Sequence, residues 1–199
     1  DPPGYLRLGD TEVSPPDLGS SVTGYQLVKF VMDSTLPGVG RVDMSFNDMP
    51  VFRLGEVLLN YAEAKAELGT LTQDDLDITV NKLRDRVGMQ AHLDLAAANA
   101  DPDPFLLSEE YGYRNVSGPN QGVILEIRRE RGIELADEGF RLADLIRWRE
   151  GKCLEQTLVG MYFPGAGEYD LTGDGKPDLC LWSGLDPKHK DMVDKEIGA

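Results

Sequence analysis

Ile124–Trp148 reads ILEIRRERGIELADEGFRLADLIRW, and this stretch decides the fold. It packs acids and bases into an amphipathic run and interrupts it once, at Asp137-Glu138-Gly139. Two helices meeting at a tight corner satisfy that pattern. In the first, Ile124, Ile127 and Leu135 fall close to one helical face; in the second, Leu142, Leu145 and Ile146 do the same. Asp137 is placed to cap the second helix, and Gly139 to ease the corner. Glu126 with Arg129, and Glu138 with Arg141, stand three apart, the spacing of surface pairs on a helix. Arg131, Glu134, Arg141 and Asp144 lie near the corner, where the two helices are expected to exchange ion pairs.

Charge at this density usually marks a solvated face, whose pairs contribute little. The order of the residues is more particular than that. Arg128, Arg129, Glu130, Arg131, Glu134, Leu135, Glu138, Gly139, Arg141, Asp144, Leu145, Arg147 and Trp148 follow one another in a pattern that closely resembles the C-terminal signature of the SusD/RagB family. Arg53 with Glu56–Ala64 (EVLLNYAEA) resembles a second signature of that family, with Leu54 and Gly55 where Tyr-Ala is commoner. Gly24, Tyr25, Lys29 and Phe30 match a third, shorter stretch.

The resemblance implies a mostly α fold: tetratricopeptide-like helix pairs of the α-α superhelix type, with long loops and a few short strands. It implies a lipid-anchored protein on the extracellular face of the outer membrane. Such a protein binds glycans without catalysis and delivers them to a SusC-like TonB-dependent transporter. It implies that the chain is the C-terminal portion of a longer protein, whose upstream part would carry the secretion signal and the lipid-bearing Cys. Arg131, Glu134, Glu138, Arg141, Asp144, Arg147 and Trp148 become a structural signature that holds helices together. The family's sugar-contacting aromatics lie largely outside the matching stretches, so no ligand-binding residue is carried over.

The 199 residues suffice for a domain with a real core. A formal charge of −15 argues against nucleic acid and against adsorption on an anionic membrane. No run is long and apolar enough for a transmembrane helix. Cys153 and Cys180 are too few for a disulfide framework, and nothing in their spacing brings them together.

One domain of five segments is expected. Residues 1–47 are Pro- and Gly-rich loops with one short strand, Tyr25–Val31. Residues 48–88 form a helix pair. Asp48 and Pro50 start the first helix, which buries Leu54, Leu58, Tyr61, Ala62 and Leu68 and stops at Gly69. Thr72 opens the second, with Leu76, Val80, Leu83 and Val87 at helical spacing and Gly88 at its end. Residues 89–118 are a long connection, in which Tyr111 and Tyr113 offer rings for stacking on a sugar or for anchoring the loop. Residues 119–150 hold the signature helix pair, starting at Ser117, Pro119 and Asn120. Residues 151–199 are loops and a hairpin, with a strand from Leu179 to Trp182 and a polar tail.

Asp170–Asp178 is the metal candidate. Asp170, Thr172, Asp174, the Lys176 carbonyl and Asp178 follow the spacing of a calcium loop, with Gly175 at the sixth position. Thr172 and Leu181 depart from that scheme, and a tight turn explains the same residues. Glu134 and Glu138 invite a glycosidase reading, but a glycosidase needs two carboxyls flanking a cleft. His92 and His189 are isolated, so no zinc motif or His-based triad is present. The alternatives to glycan binding are a tetratricopeptide-like scaffold for a protein partner and, with less support, a glycoside hydrolase.

Overall fold

Small residues decide how the first helix packs. In α1 (Leu54–Glu67) the buried positions are Gly55, Leu59, Ala62, Glu63 and Ala66, a stripe at helical spacing. In this computed structural model, residues 29–30, 48, 50–155, 157 and 160–181 are described. They fall in two units, residues 1–48 with 158–199 and residues 49–157.

The expected face of α1 is corrected here. Leu54 is 69 % exposed and Leu68 76 %, Tyr61 is also exposed, and only Ala62 and the half-buried Leu58 of the expected set face the interior. The physical reason is close approach. α6 (Gln121–Glu134) is the helix packed most extensively on α1, and small side chains let two backbones come near. A Cβ on Gly55 would stand 2.5 Å from Arg53 Nη1 and 2.9 Å from Glu134 Oε1, so the departure from Ala there makes room for an ion pair. The start is corrected too: α1 begins at Leu54, with Arg53 before it, and not at Asp48–Pro50. Its end is as expected. Gly69 has φ +70, the Thr70 amide donates to Lys65 O and the Gly69 amide to Ala66 O, which closes the helix in a Schellman turn.

Thr72 starts α2 (Gln73–Asp77) with a reciprocal capping box to Asp75. The single helix expected from Thr72 to Gly88 is broken. α3 (Val80–Arg86) is separate, and Thr79 between them has non-helical backbone and turns its hydroxyl back onto the Asp75 carbonyl. Leu76, Val80 and Leu83 are buried as read; Val87 lies past the helix end and is exposed. The 89–118 connection also carries helices that periodicity did not reveal. Asp94 caps α4 (Leu95–Ala100), and Asp103 caps α5 (Pro104–Leu107) with Pro104 in the first turn. Buried Asn81 fixes the approach to α4: Leu93 N donates to its Oδ1 (2.6 Å), and its Nδ2 donates to Leu93 O (3.1 Å).

α6 and α7 (Arg141–Trp148) are the two helices of the quoted stretch. Leu59, Leu76, Val80, Val123, Leu125, Ile127 and Leu145 form the driest part of the core. In the other unit, β1 (Gly167–Tyr169) pairs antiparallel with β2 (Leu179–Leu181), Tyr169 opposite Leu179. This is the expected hairpin; Trp182 and the tail lie outside the described residues. So does most of Tyr25–Val31. Lys29 and Phe30 stand in a turn, with Phe30 at φ 60, in place of the expected strand.

The cap at Thr72 has a pH consequence. The Thr72 hydroxyl and amide hold the Asp75 carboxyl well below the usual carboxylate range, with Tyr61 and Lys65 adding to them. Asp77 is lowered by Asn81 and Gln73, and Asp103 by the Phe105 amide. A depressed carboxylate contributes stability that is complete above its unfolded value, about 4, and is lost as pH falls through the folded value. The melting temperature is therefore expected to hold from neutrality down to about pH 5 and to fall below about pH 4. Asp75→Asn, less stable at neutrality, should lose less on acidification; an equal acid loss in the variant would remove Asp75 from this account.

Candidate functional site

The corner between α6 and α7 is a set of paired charges drawn inside. Arg131 and Asp144 are each 4 % exposed. Arg131 Nε donates to Asp144 Oδ2 at 2.7 Å, and its Nη1 to Asn60 Oδ1 of α1 at 2.6 Å. The other oxygen of Asp144 accepts from Arg147 Nε at 2.9 Å. Arg147 then grips Glu63 of α1 with both terminal nitrogens, Nη2 to Oε2 at 2.6 Å. Trp148 Nε1 donates to the same Glu63, at 2.6 Å. One continuous chain of charge-assisted bonds thus ties α1, α6 and α7 together.

Trp148 is the apolar centre of this corner. Its ring meets Tyr113 edge-on at 5.6 Å between centroids, and the guanidinium carbons of Arg128 and Arg147 each stand 4.7 Å from its centroid. Glu150, two residues further on, is 2 % exposed. Its carboxylate accepts from the backbone amides of Asn115 (2.7 Å) and Arg114 (3.0 Å), with Arg128 Nη1 at 3.4 Å. Sequence reasoning missed Glu63, Arg128 and Glu150 as interior charges. The available signal for Glu63 was its place between Ala62 and Ala66 on the face of small residues.

Several expected details change. Asp137 does not cap α7. It takes left-handed backbone, φ 63, as Gly139 does at φ 80, and Phe140 precedes the helix with no side-chain cap. Leu142 and Ile146 face outward, and α7 buries Asp144, Leu145 and Trp148 instead. The helix turns its charged side inward because the partners of those charges lie on α1 and α6. The Glu126–Arg129 pair forms. In place of the expected surface pair of Glu138 with Arg141, Glu138 binds Arg53 Nε at 2.7 Å, and Arg141 Nη1 donates to the Tyr113 hydroxyl at 3.0 Å. Glu134 also binds Arg53, and its second oxygen takes Arg86 at 2.7 Å.

Beside this network lies a cavity of about 460 Å³, lined by Glu63, Glu67, Asn115, Arg128 and Arg147–Arg149. Arg149 ends α7 in left-handed backbone, φ 61, and its carbonyl accepts from Asn115 Nδ2 at 2.7 Å.

The family model of the SusD family matches residues 4–182. The chain belongs to the SusD family. No curated protein and no solved structure matches it. SusD-family proteins are in general non-catalytic glycan-binding proteins, found as lipoproteins at the outer-membrane surface and associated with SusC-like transporters. The mostly helical fold with a few short strands is that of the family.

Tyr113 of this SusD-family chain is buried against Trp148 and anchors its loop. Tyr111 is exposed and stacks on exposed Phe105, centroids 5.5 Å apart and planes 9° from parallel. Among the described residues no helix is long and apolar enough to cross a membrane. In the Asp170–Asp178 turn, Asp170 accepts from the amides of Gly173 (2.6 Å) and Gly175 (2.7 Å). Asp178 accepts from those of Leu171 (2.8 Å) and Thr172 (2.9 Å), and Asp174 from that of Lys176 (2.8 Å). The Gly175 amide leads in holding the Asp170 carboxyl below its usual value. Among the described residues no three His, Cys, Asp or Glu are gathered as for a metal.

Proposed function

We propose that this chain captures oligo- or polysaccharides outside the cell and passes them, unaltered, to a SusC-like TonB-dependent transporter. The lipid anchor would lie on an upstream segment. The observation that carries the reading is the family match over residues 4–182. The signature is read as internal glue, because Arg131, Asp144 and Arg147 pair with one another and Arg147 with Glu63 of α1, while Glu134 and Glu138 hold Arg53. The two carboxylates that invite a hydrolase reading, Glu134 and Glu138, both bind Arg53, whereas a glycosidase holds its pair free across a cleft. The α1 helix with α2–α3 is read as one tetratricopeptide-like unit. The exposed Phe105–Tyr111 stack offers an aromatic surface to a sugar face.

Affinity electrophoresis through gels cast with different polysaccharides tests this reading. At least one glycan is expected to retard the protein, and Tyr111→Ala to weaken the retardation. Passage through every glycan tested would count against it.

For the Asp170–Asp178 turn, the inward amide bonds support a self-capped turn in place of calcium held by Asp170, Thr172, Asp174, Lys176 and Asp178. Calcium is expected to leave hydrogen-exchange protection of this turn unchanged. Calcium-dependent protection, reversed by chelator, would restore the metal reading.

A further inference from the structure

The cavity beside the signature gathers three guanidiniums in a chain of formal charge −15. Arg128, Arg147 and Arg149 line it against two carboxylates, Glu63 and Glu67. Glu63 is already committed, held by both terminal nitrogens of Arg147 and by the Trp148 indole. Arg128 is not well satisfied. It is 5 % exposed, with its Nε closed off from solvent. Its two pairs, to Glu67 at 3.3 Å and Glu150 at 3.4 Å, are long, where a charge-assisted bond runs about 2.7–2.9 Å. Arg149 is exposed, and its guanidinium makes no ion pair among the described residues.

The long pairs on the terminal nitrogens of Arg128 and the unpaired Arg149 at the same cavity call for an acceptor-only group. A carboxylate meets both, with two oxygens in the plane that a guanidinium fork recognises. A volume of about 460 Å³ falls within the range of small-molecule sites and exceeds what a lone carboxyl group fills.

We propose that this cavity binds the carboxylate of a small organic acid, entering beside Glu67 and held by Arg128 and Arg149. A sugar acid on a glycan is the source that fits the volume, and that part alone rests on the glycan-binding reading. Glu67, half-exposed on the last turn of α1, competes for Arg128. Removing its charge should strengthen binding, a response that a merely structural role for these residues does not produce.

Calorimetry on the whole chain with digalacturonate, the matched neutral digalactoside and succinate tests the proposal. Digalacturonate is expected to bind, more weakly as salt is added. Glu67→Gln should tighten it about threefold to tenfold, and Arg149→Gln should weaken it about tenfold, with Arg149→Lys restoring part of the loss. Succinate binding as well as digalacturonate, with the same response to both variants, would support the carboxylate site and assign it to a free acid. Equal binding of digalacturonate and digalactoside, unchanged in Arg149→Gln, would overturn the site while leaving glycan capture standing. Failure of both acids to bind would overturn it as well.

Discussion

Asp144→Ala is expected to lower the melting temperature by about 10 °C while leaving glycan affinity, measured well below the transition, unchanged. The cost follows from what is left behind. Arg131 is buried and, among the described residues, keeps only Asn60 as a hydrogen-bond partner, beside the face of Phe140. Breaking one side of a buried ion pair costs about 3–5 kcal/mol, and in a chain of this size each kcal/mol moves the transition by about 2–4 °C. The gain from keeping the pair over an apolar replacement is much smaller. The double variant Arg131→Met/Asp144→Leu should therefore recover a large part of the loss. Asp144→Asn, which keeps an acceptor for Arg131, should fall between. Additive losses in the double variant would show that the two residues do not act as a pair.

Gly122→Ala is the second large effect, and its sign runs against helix propensity. Gly→Ala inside a helix usually gains up to about 1 kcal/mol. Here a Cβ would stand 1.8 Å from Ala98 O and 2.5 Å from Ala98 C, both backbone atoms of α4. That backbone has little freedom to move: Val123 N bonds Asn99 Oδ1 (2.9 Å), Leu95 N bonds Gln73 Oε1 (2.8 Å), and Asn81 holds Leu93. A net loss of about 3 kcal/mol is expected, at the upper end of overpacking costs. Gly151→Ala is the control, since a Cβ there meets nothing within 4 Å. Thermal melting of the two variants should separate them clearly, with Gly151→Ala near wild type.

What was legible in the sequence was local. Thr72 announces a capping box, and Gly69 and Gly88 close helices in left-handed backbone, because each of these acts on its own few neighbours. The corner residues were legible as members of a signature, but their pairings were not. Glu138 meets Arg53 from 85 positions away, and Arg147 meets Glu63 from 84, distances over which helical spacing carries no information. The buried face of α1 misled for a related reason. Periodicity weighs the large apolar residues, so it favoured Leu54, Tyr61 and Leu68. The neighbour chose Gly55, Ala62 and Ala66, because only small side chains admit the close approach of α6. The cavity was not legible even though Glu63, Arg128, Arg147 and Trp148 belong to the signatures, because its lining comes together from two helices, a loop and the end of a third.

The reading of the signature as glue separates from its rivals on the two activities each predicts. A hydrolase consumes what it binds; a scaffold binds no sugar. The most direct measurement takes the glycan that retards the chain, incubates the two together at saturation, and follows new reducing ends beside the affinity. The account predicts saturable binding with no reducing ends above the protein-free control. Steady release of product, abolished by Glu134→Gln with the fold intact, would contradict it.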